Sequence, residues 1–137
     1  MSRKKKILVT GGTGFIAKHI ILQLLNEGFH VRTSLRNLAR SAEVRNAIHA
    51  HVRDTENLDE RLSFCVLDLN SDEGWDEALK NCAALMHTAS PFPMSQPEDD
   101  DALIRPAVDG TTRALRAAQT AGVERVILTS SIVAIYN

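Results

Sequence analysis

Gly11 and Gly14 stand three residues apart, with Ala17 three further on, in the stretch T-G-G-T-G-F-I-A at residues 10–17. Such spacing serves phosphate binding. Gly11 permits a tight turn from strand to helix, and Gly14 leaves no side chain between the backbone and a pyrophosphate. Ala17 takes the place of a third glycine, where close packing of helix on strand is needed. The phosphates would rest on the unpaired amides and positive dipole end of the helix that follows. The context agrees: an apolar strand (Ile7, Leu8, Val9) precedes the glycines, and a helix with Ile16, Ile20, Ile21 and Leu24 on one face follows, closed by Gly28 at C′. A glycine turn in an ordinary loop is the plainer alternative, and it does not account for that context.

Where a second strand ends in such a unit, an acidic residue would accept from a ribose 2′-hydroxyl, whereas an arginine would pair with a 2′-phosphate. This chain has Leu35 then Arg36, with Arg32 and Arg40 nearby and no carboxylate in the stretch. NADP is therefore favoured over NAD, with Arg36 as the phosphate contact because its guanidinium fork suits a phosphate. The alternative for Arg36 is a solvated surface arginine.

The elements that must position these groups alternate along the chain. Residues 30–35 read as a second strand and 38–51 as a helix with Val44 and Ile48 inward, followed by a polar loop through Arg61. Residues 62–67 form a third strand, Ser71 starts a short helix carrying Trp75 and Leu79, and 83–87 form a fourth strand. A proline-rich loop, 91–97, leads to a helix over 101–121 closed by Gly122, and 126–129 form a fifth strand. This alternation predicts right-handed crossovers and a Rossmann-type doubly wound parallel α/β sheet of at least five strands, with ligands beyond the strands' carboxyl ends.

Composition bounds the function. The 137 residues are 44% hydrophobic and 24% charged, enough to bury one core, and residues 1–137 are expected to form a single NAD(P)-binding domain. Sixteen basic against seventeen acidic residues give a net charge of −1, which offers no footprint for nucleic acid or an anionic membrane. The basic start, Arg3 to Lys6, is followed by only three apolar residues, too few for a signal peptide, and reads as a solvated tail. Cys65 and Cys82, separated by sixteen residues, read as two buried reduced thiols of a cytoplasmic protein.

The chain resembles the N-terminal portion of an extended short-chain dehydrogenase/reductase, a group within the epimerase/dehydratase superfamily, and its pattern is nearest the dihydroflavonol reductase and cinnamoyl-CoA reductase members. Four motifs carry the resemblance: T-G-G-T-G-F-I-A at 10–17, V-R-T-S-L-R at 31–36, D-L at 68–69 and H-T-A-S-P at 87–91. The resemblance implies that Gly11, Thr13, Gly14, Phe15 and Ile16 contribute to the cofactor cradle. It also implies that Asp68 and Leu69 hold the adenine, and that Thr88, Ala89 and Ser90 line the adenosine and ribose side of the cleft. For Asp68 the plainer alternative is a helix N-terminal acid, and for 88–91 a simple turn.

The T-S-S run at 129–131 resembles the family's strand-five signature, which assigns the catalytic role to Ser131. Its hydroxyl would hydrogen-bond the oxygen of a small-molecule carbonyl substrate beside the nicotinamide. The resemblance implies NADPH-dependent reduction of a ketone, aldehyde or thioester, with the proton supplied by the tyrosine of a Y-x-x-x-K pair. Tyr136 is not that tyrosine, since it lies only five residues beyond Ser131 and its lysine would fall at position 140, past the end of the sequence. The chain is therefore expected to be a piece of a longer enzyme that binds cofactor without turnover. Its fifth strand, in the order 3-2-1-4-5, would form an apolar edge inviting a homodimer. Sugar epimerases of the superfamily carry N-V-N-G-T where this chain has Ala107, Val108, Asp109, Gly110 and Thr111, which favours the reductase over an epimerase/dehydratase; a non-catalytic dinucleotide sensor is the other alternative.

The remaining polar clusters read as structural. Glu98 to Asp101 precede a helix whose positive end they favour, so no metal is assigned. His49 and His51 diverge on their helix, His19 is a surface position, His87 is a packed, hydrogen-bonded histidine, and Trp75 anchors its short helix.

Overall fold

The computed structural model describes residues 5–91, 95 and 97–136. Arg3 and Lys4 of the basic start, and residues 92–94 and 96 of the proline-rich loop, lie outside them. Five strands, β1 (Lys6–Thr10), β2 (His30–Leu35), β3 (Leu62–Val66), β4 (Cys82–His87) and β5 (Arg125–Leu128), form one parallel sheet in the order β3-β2-β1-β4-β5. The helices between them are α1 (Phe15–Asn26), α2 (Ser41–His49), α3 (Leu58–Arg61), α4 (Trp75–Leu79) and α5 (Asp100–Thr120), with 3-10 turns at Leu38–Arg40 and Ile132–Ala134. All strands point the same way, so their carboxyl ends collect along one rim. The strand order reverses direction at β1, between β2 and β4, which places the expected ligand crevice at the end of β1.

β1 is buried on both faces and its alternation sorts the core. Ile7 and Val9 pack with Ala17, Ile21, Leu25, Val31, Val44 and Ile48 on one side. Leu8 packs with Trp75, Leu79, Leu85, Ala114 and Ala118 on the other. Burying each large aliphatic side chain contributes about 1.5–3 kcal/mol, which makes the central strand a firm base for the loop it feeds.

The core face of α1 differs from its expected one. Ala17, Ile21 and Leu25 are buried, Ile20 and Leu24 only partly, and Ile16 is exposed. The buried set is Ala17, Ile21 and Leu25 at a spacing of four, and Phe15 and Ile16 in the first turn are both exposed. At its other end Gly28 adopts φ +87°, and the amides of Gly28 and Phe29 bond the carbonyls of Leu25 and Leu24 at 3.1 and 3.0 Å, a Schellman cap.

Three further expectations are corrected. The polar stretch before β3 contains α3, held because Arg61 is buried and donates to the carbonyls of Leu25, Asp54 and Glu56. The helix carrying Trp75 begins at Trp75 rather than Ser71, whose hydroxyl accepts from the Glu73 amide in a preceding turn. Cys82 is buried but Cys65 is only half-buried on β3 at the sheet edge; burial still pushes the Cys65 thiol up to about 11. The opposite edge is β5, where Ile127 and Leu128 are exposed. Among the described residues no helix is long and apolar enough to cross a membrane.

Candidate dinucleotide-binding site

A cavity of about 550 Å³ opens at the carboxyl ends of β1, β2, β3 and β4, a volume typical of small-molecule sites. Gly11, Thr13, Gly14, Arg36, Asp68, Leu69, Thr88, Ala89 and Ser90 line it, so nine of the sequence-predicted residues, from four separate motifs, converge there. Phe15, Ile16 and Ser131 do not line it. Phe15 and Ile16 form the exposed first turn of α1 and can offer backbone amides rather than side chains. Ser131 lies past β5 on the exposed segment that ends the chain, where its hydroxyl accepts from the Val133 amide at 3.3 Å.

The glycine loop is held from below. Gly11, at φ +72°, donates its amide to Ser34 Oγ at 3.1 Å, and Gly12 donates to the Ser34 carbonyl at 2.9 Å. Sequence reasoning gave Gly12 no role, yet it is the most constrained glycine of the loop. A Cβ there would stand 2.3 Å from Thr33 Oγ1, a buried hydroxyl committed to the Val9 carbonyl at 2.8 Å. Thr33 and Ser34 were also missed, although polar residues inside a strand buried on both faces signal a hydrogen-bonding task. The α1 N-terminus above this loop has no side-chain cap, and its first internal bond runs from Lys18 N–H to Gly14 O at 3.0 Å. Gly14 N–H donates to the Gly11 carbonyl at 2.9 Å, so the amides of Phe15, Ile16 and Ala17, in the first turn of α1, are the ones left without helical partners, as an anion site requires.

Thr10 joins the two halves of the rim. Its hydroxyl oxygen accepts from the amides of Thr88 and Ala89, both at 3.1 Å, and lies 2.8 Å from His87 Nδ1. The Thr88 hydroxyl donates to the Thr10 carbonyl in return. With both lone pairs of Thr10 Oγ1 taken by amides, its proton must be directed at His87 Nδ1, which assigns the neutral Nε2–H tautomer. His87 is buried, and burial holds its imidazole below the ordinary histidine value of 6.5. It is thus a packed, hydrogen-bonded residue, as the sequence suggested.

Below the ordinary value but above the depressed folded one, the unfolded chain binds a proton at His87 and the folded chain does not, so stability rises with pH through that window. The contribution is present above about pH 6.5 and is lost as pH falls towards the folded value. The urea midpoint of the unsubstituted chain should fall more steeply between neutral and mildly acidic pH than that of His87→Gln. Parallel profiles would remove His87 as the cause.

Arg32 within β2 and Arg36 and Arg40 after it have separate tasks in the structure. Arg32 Nη1 donates to the carbonyls of Glu77, Ala78 and Lys80 at the end of α4, and Arg40 pairs with Glu43, whose carboxyl is lowered by its bonds to Lys18 and Arg40. Arg36 makes no ion pair among the described residues and stands exposed on the cavity wall. Asp68 is not a helix cap. Its Oδ1 accepts from the Asn70 amide at 2.9 Å in a tight turn, and its other oxygen has no hydrogen bond among the described residues. The Glu98–Asp101 stretch does cap a helix, with Asp99 accepting from the Asp101 amide at 3.0 Å.

A cradle of this build has known counterparts. The model of the 3-beta hydroxysteroid dehydrogenase/isomerase family matches residues 8–137. The chain belongs to that family. Its relatives bear out the reductase resemblance. It is 38% identical over 130 residues to cinnamoyl-CoA reductase 1 of Petunia hybrida, covering 95% of this chain and 36% of that protein. It is 30% identical over 129 residues to dihydroflavonol 4-reductase of Hordeum vulgare, covering 93% and 35%. Among solved structures it is similar to Gre2 of Candida albicans in complex with NADPH, with a TM-score of 0.76, 30% identity, and coverage of 93% of this chain and 37% of that one. This member of the 3-beta hydroxysteroid dehydrogenase/isomerase family therefore spans a little over a third of the length of the relatives it matches.

Proposed function

We propose that residues 1–137 act as one NAD(P)-binding unit that takes NADPH in preference to NADH, and that the whole protein reduces a small-molecule ketone, aldehyde or thioester. The observation that carries this reading is the convergence on one cavity of the glycine loop, the uncapped α1 N-terminus and Arg36, which makes no ion pair among the described residues. The residues fit the cofactor. A Cβ at Gly14 would stand 3.2 Å from the Gly11 carbonyl, and one at Gly11 would stand 3.1 Å from Ala89 Cβ, so side chains at these positions would crowd the cradle.

NADPH, when bound, supplies the hydride for a carbonyl carbon. The amides of Phe15 and Ile16 would receive the pyrophosphate, Asp68 and Leu69 the adenine, and Thr88, Ala89 and Ser90 the ribose side. Ser131 would hydrogen-bond the substrate oxygen, and the chain by itself would bind cofactor without turnover. The cinnamoyl-CoA and dihydroflavonol reductase names of the relatives support the carbonyl class. A cytoplasmic setting fits the two free thiols. Pairing of a second copy along β5 fits its exposed Ile127 and Leu128; sedimentation showing only monomer at high concentration would remove that part.

The test uses Trp75, the only tryptophan, which lines the cavity and reports directly on an occupant. Titration with NADPH should quench its emission saturably, with NADH binding more weakly. No quenching, together with no heat in calorimetry, would overturn the cofactor assignment.

A further inference from the structure

α5 reaches the cavity wall through a contact that none of the sequence motifs announces. Gly110 is buried against residue 69: a Cβ there would lie 3.2 Å from Leu69 Cβ and 3.5 Å from the Leu69 carbonyl oxygen. One turn further, Arg113 Nη1 donates to that same carbonyl, and Arg113 Nε donates to Asp72 Oδ1 at 2.5 Å. A single guanidinium thus spans residues 69–72, with the helix brought close enough by the missing side chain at Gly110. Within the turn, the Asn70 amide donates to Asp68 Oδ1 and the Ser71 amide to the Asp68 carbonyl at 3.1 Å. They shape the turn; Trp75 Nε1–H holds its Ser71 carbonyl from the core at 3.1 Å, and Arg113 ties it to α5 at the Leu69 carbonyl. Leu69 and its neighbours Asp68 and Asn70 all line the cavity.

We propose that Arg113 is a positioning residue for dinucleotide binding: it fixes the Leu69 carbonyl, and through it the 68–70 backbone, in the geometry that receives the adenine end. The inference rests on the reading of the cavity as a dinucleotide site. The carbonyl bond carries it rather than the ion pair. Asp72 is 90% exposed, so its pairing with Arg113 is screened by solvent and contributes little. The arginine side chain is only 21% exposed, and a charged donor to a backbone carbonyl is among the stronger hydrogen bonds.

The experiment titrates the whole chain and its variants with NADPH and with NADH. Arg113→Leu should weaken both by about tenfold, the loss of one charged hydrogen bond, and should preserve the ratio between them because both carry adenine. Asp72→Asn, which removes only the ion pair, should leave both within about twofold. Arg113→Gln carries the same expectation as Arg113→Leu should the latter not fold. A merely structural role would lower the thermal midpoint and leave the affinity of the folded protein unchanged. Unchanged affinity in the Arg113 variants, or an equal loss in Asp72→Asn, overturns the positioning role alone. Failure of the unsubstituted chain to bind either nucleotide overturns the dinucleotide reading and this inference with it.

Discussion

Arg36→Ala should weaken NADPH binding by roughly 10- to 100-fold while leaving NADH within about twofold, the loss of charged hydrogen bonds to one phosphate. Arg32 is spent on three carbonyls of the α4 terminus, and Arg40 is spent on Glu43. Of the three, Arg36 lines the cavity, its fork without a partner among the described residues, and a planar guanidinium matches phosphate oxygens two at a time. Because the side chain is exposed, the NADPH advantage should also shrink as salt rises, since added ions screen an exposed pair. Parallel titrations of the unsubstituted chain and the variant, at two ionic strengths, check both statements. An NADPH-to-NADH ratio untouched by the substitution would place the 2′-phosphate elsewhere.

Trp75→Ala should cost about 3–5 kcal/mol of folding stability and lower the thermal midpoint by roughly 10 °C or more. Trp75 is the largest fully buried side chain, and it packs with Leu8, Leu79 and Leu85 beneath the cavity. Its ring lies 6.5 Å from that of His87, and its Nε1–H donates to the Ser71 carbonyl at 3.1 Å. Removal therefore leaves a hole in the layer under β1 and β4 and a carbonyl without its donor. Trp75→Phe keeps most of the apolar contact and should recover more than half of the loss, about 2 kcal/mol or more. Urea denaturation followed by far-UV circular dichroism decides the matter, and a cost below about 1 kcal/mol for the alanine variant would show that the layer closes over the gap.

The position of Arg36 was legible in the sequence because strand two could be bounded by its apolar run and the rule for its last residue is local. Its freedom was not legible, since that depends on where the α4 carbonyls and Glu43 come to lie. Trp75 was readable as a core anchor from its type. That it also lines the cavity and neighbours His87 depends on β3 and β4 flanking the central strands.

The sequence by itself determined the alternation of strands and helices, the strand order that such alternation permits, the glycine cradle and the reductase-like motifs. Those features are local: a period of two or of 3.6, a turn that only glycine allows, and a cap at Gly28 or Gly122 each depend on a few neighbouring residues. The tertiary structure alone decided which groups meet. It set Thr33 Oγ1 where a side chain at Gly12 would stand, made Thr10 the hub for His87, Thr88 and Ala89, and laid Arg113 across Leu69 and Asp72. It also left Ser131 on the exposed end of the chain and off the cavity wall. Each of these contacts joins residues far apart in the chain, whereas Ser131 meets Val133, two residues on. They arise from packing of whole elements on either face of the sheet, and no local pattern of residue types encodes which hydroxyl, carbonyl or guanidinium that packing will bring within reach.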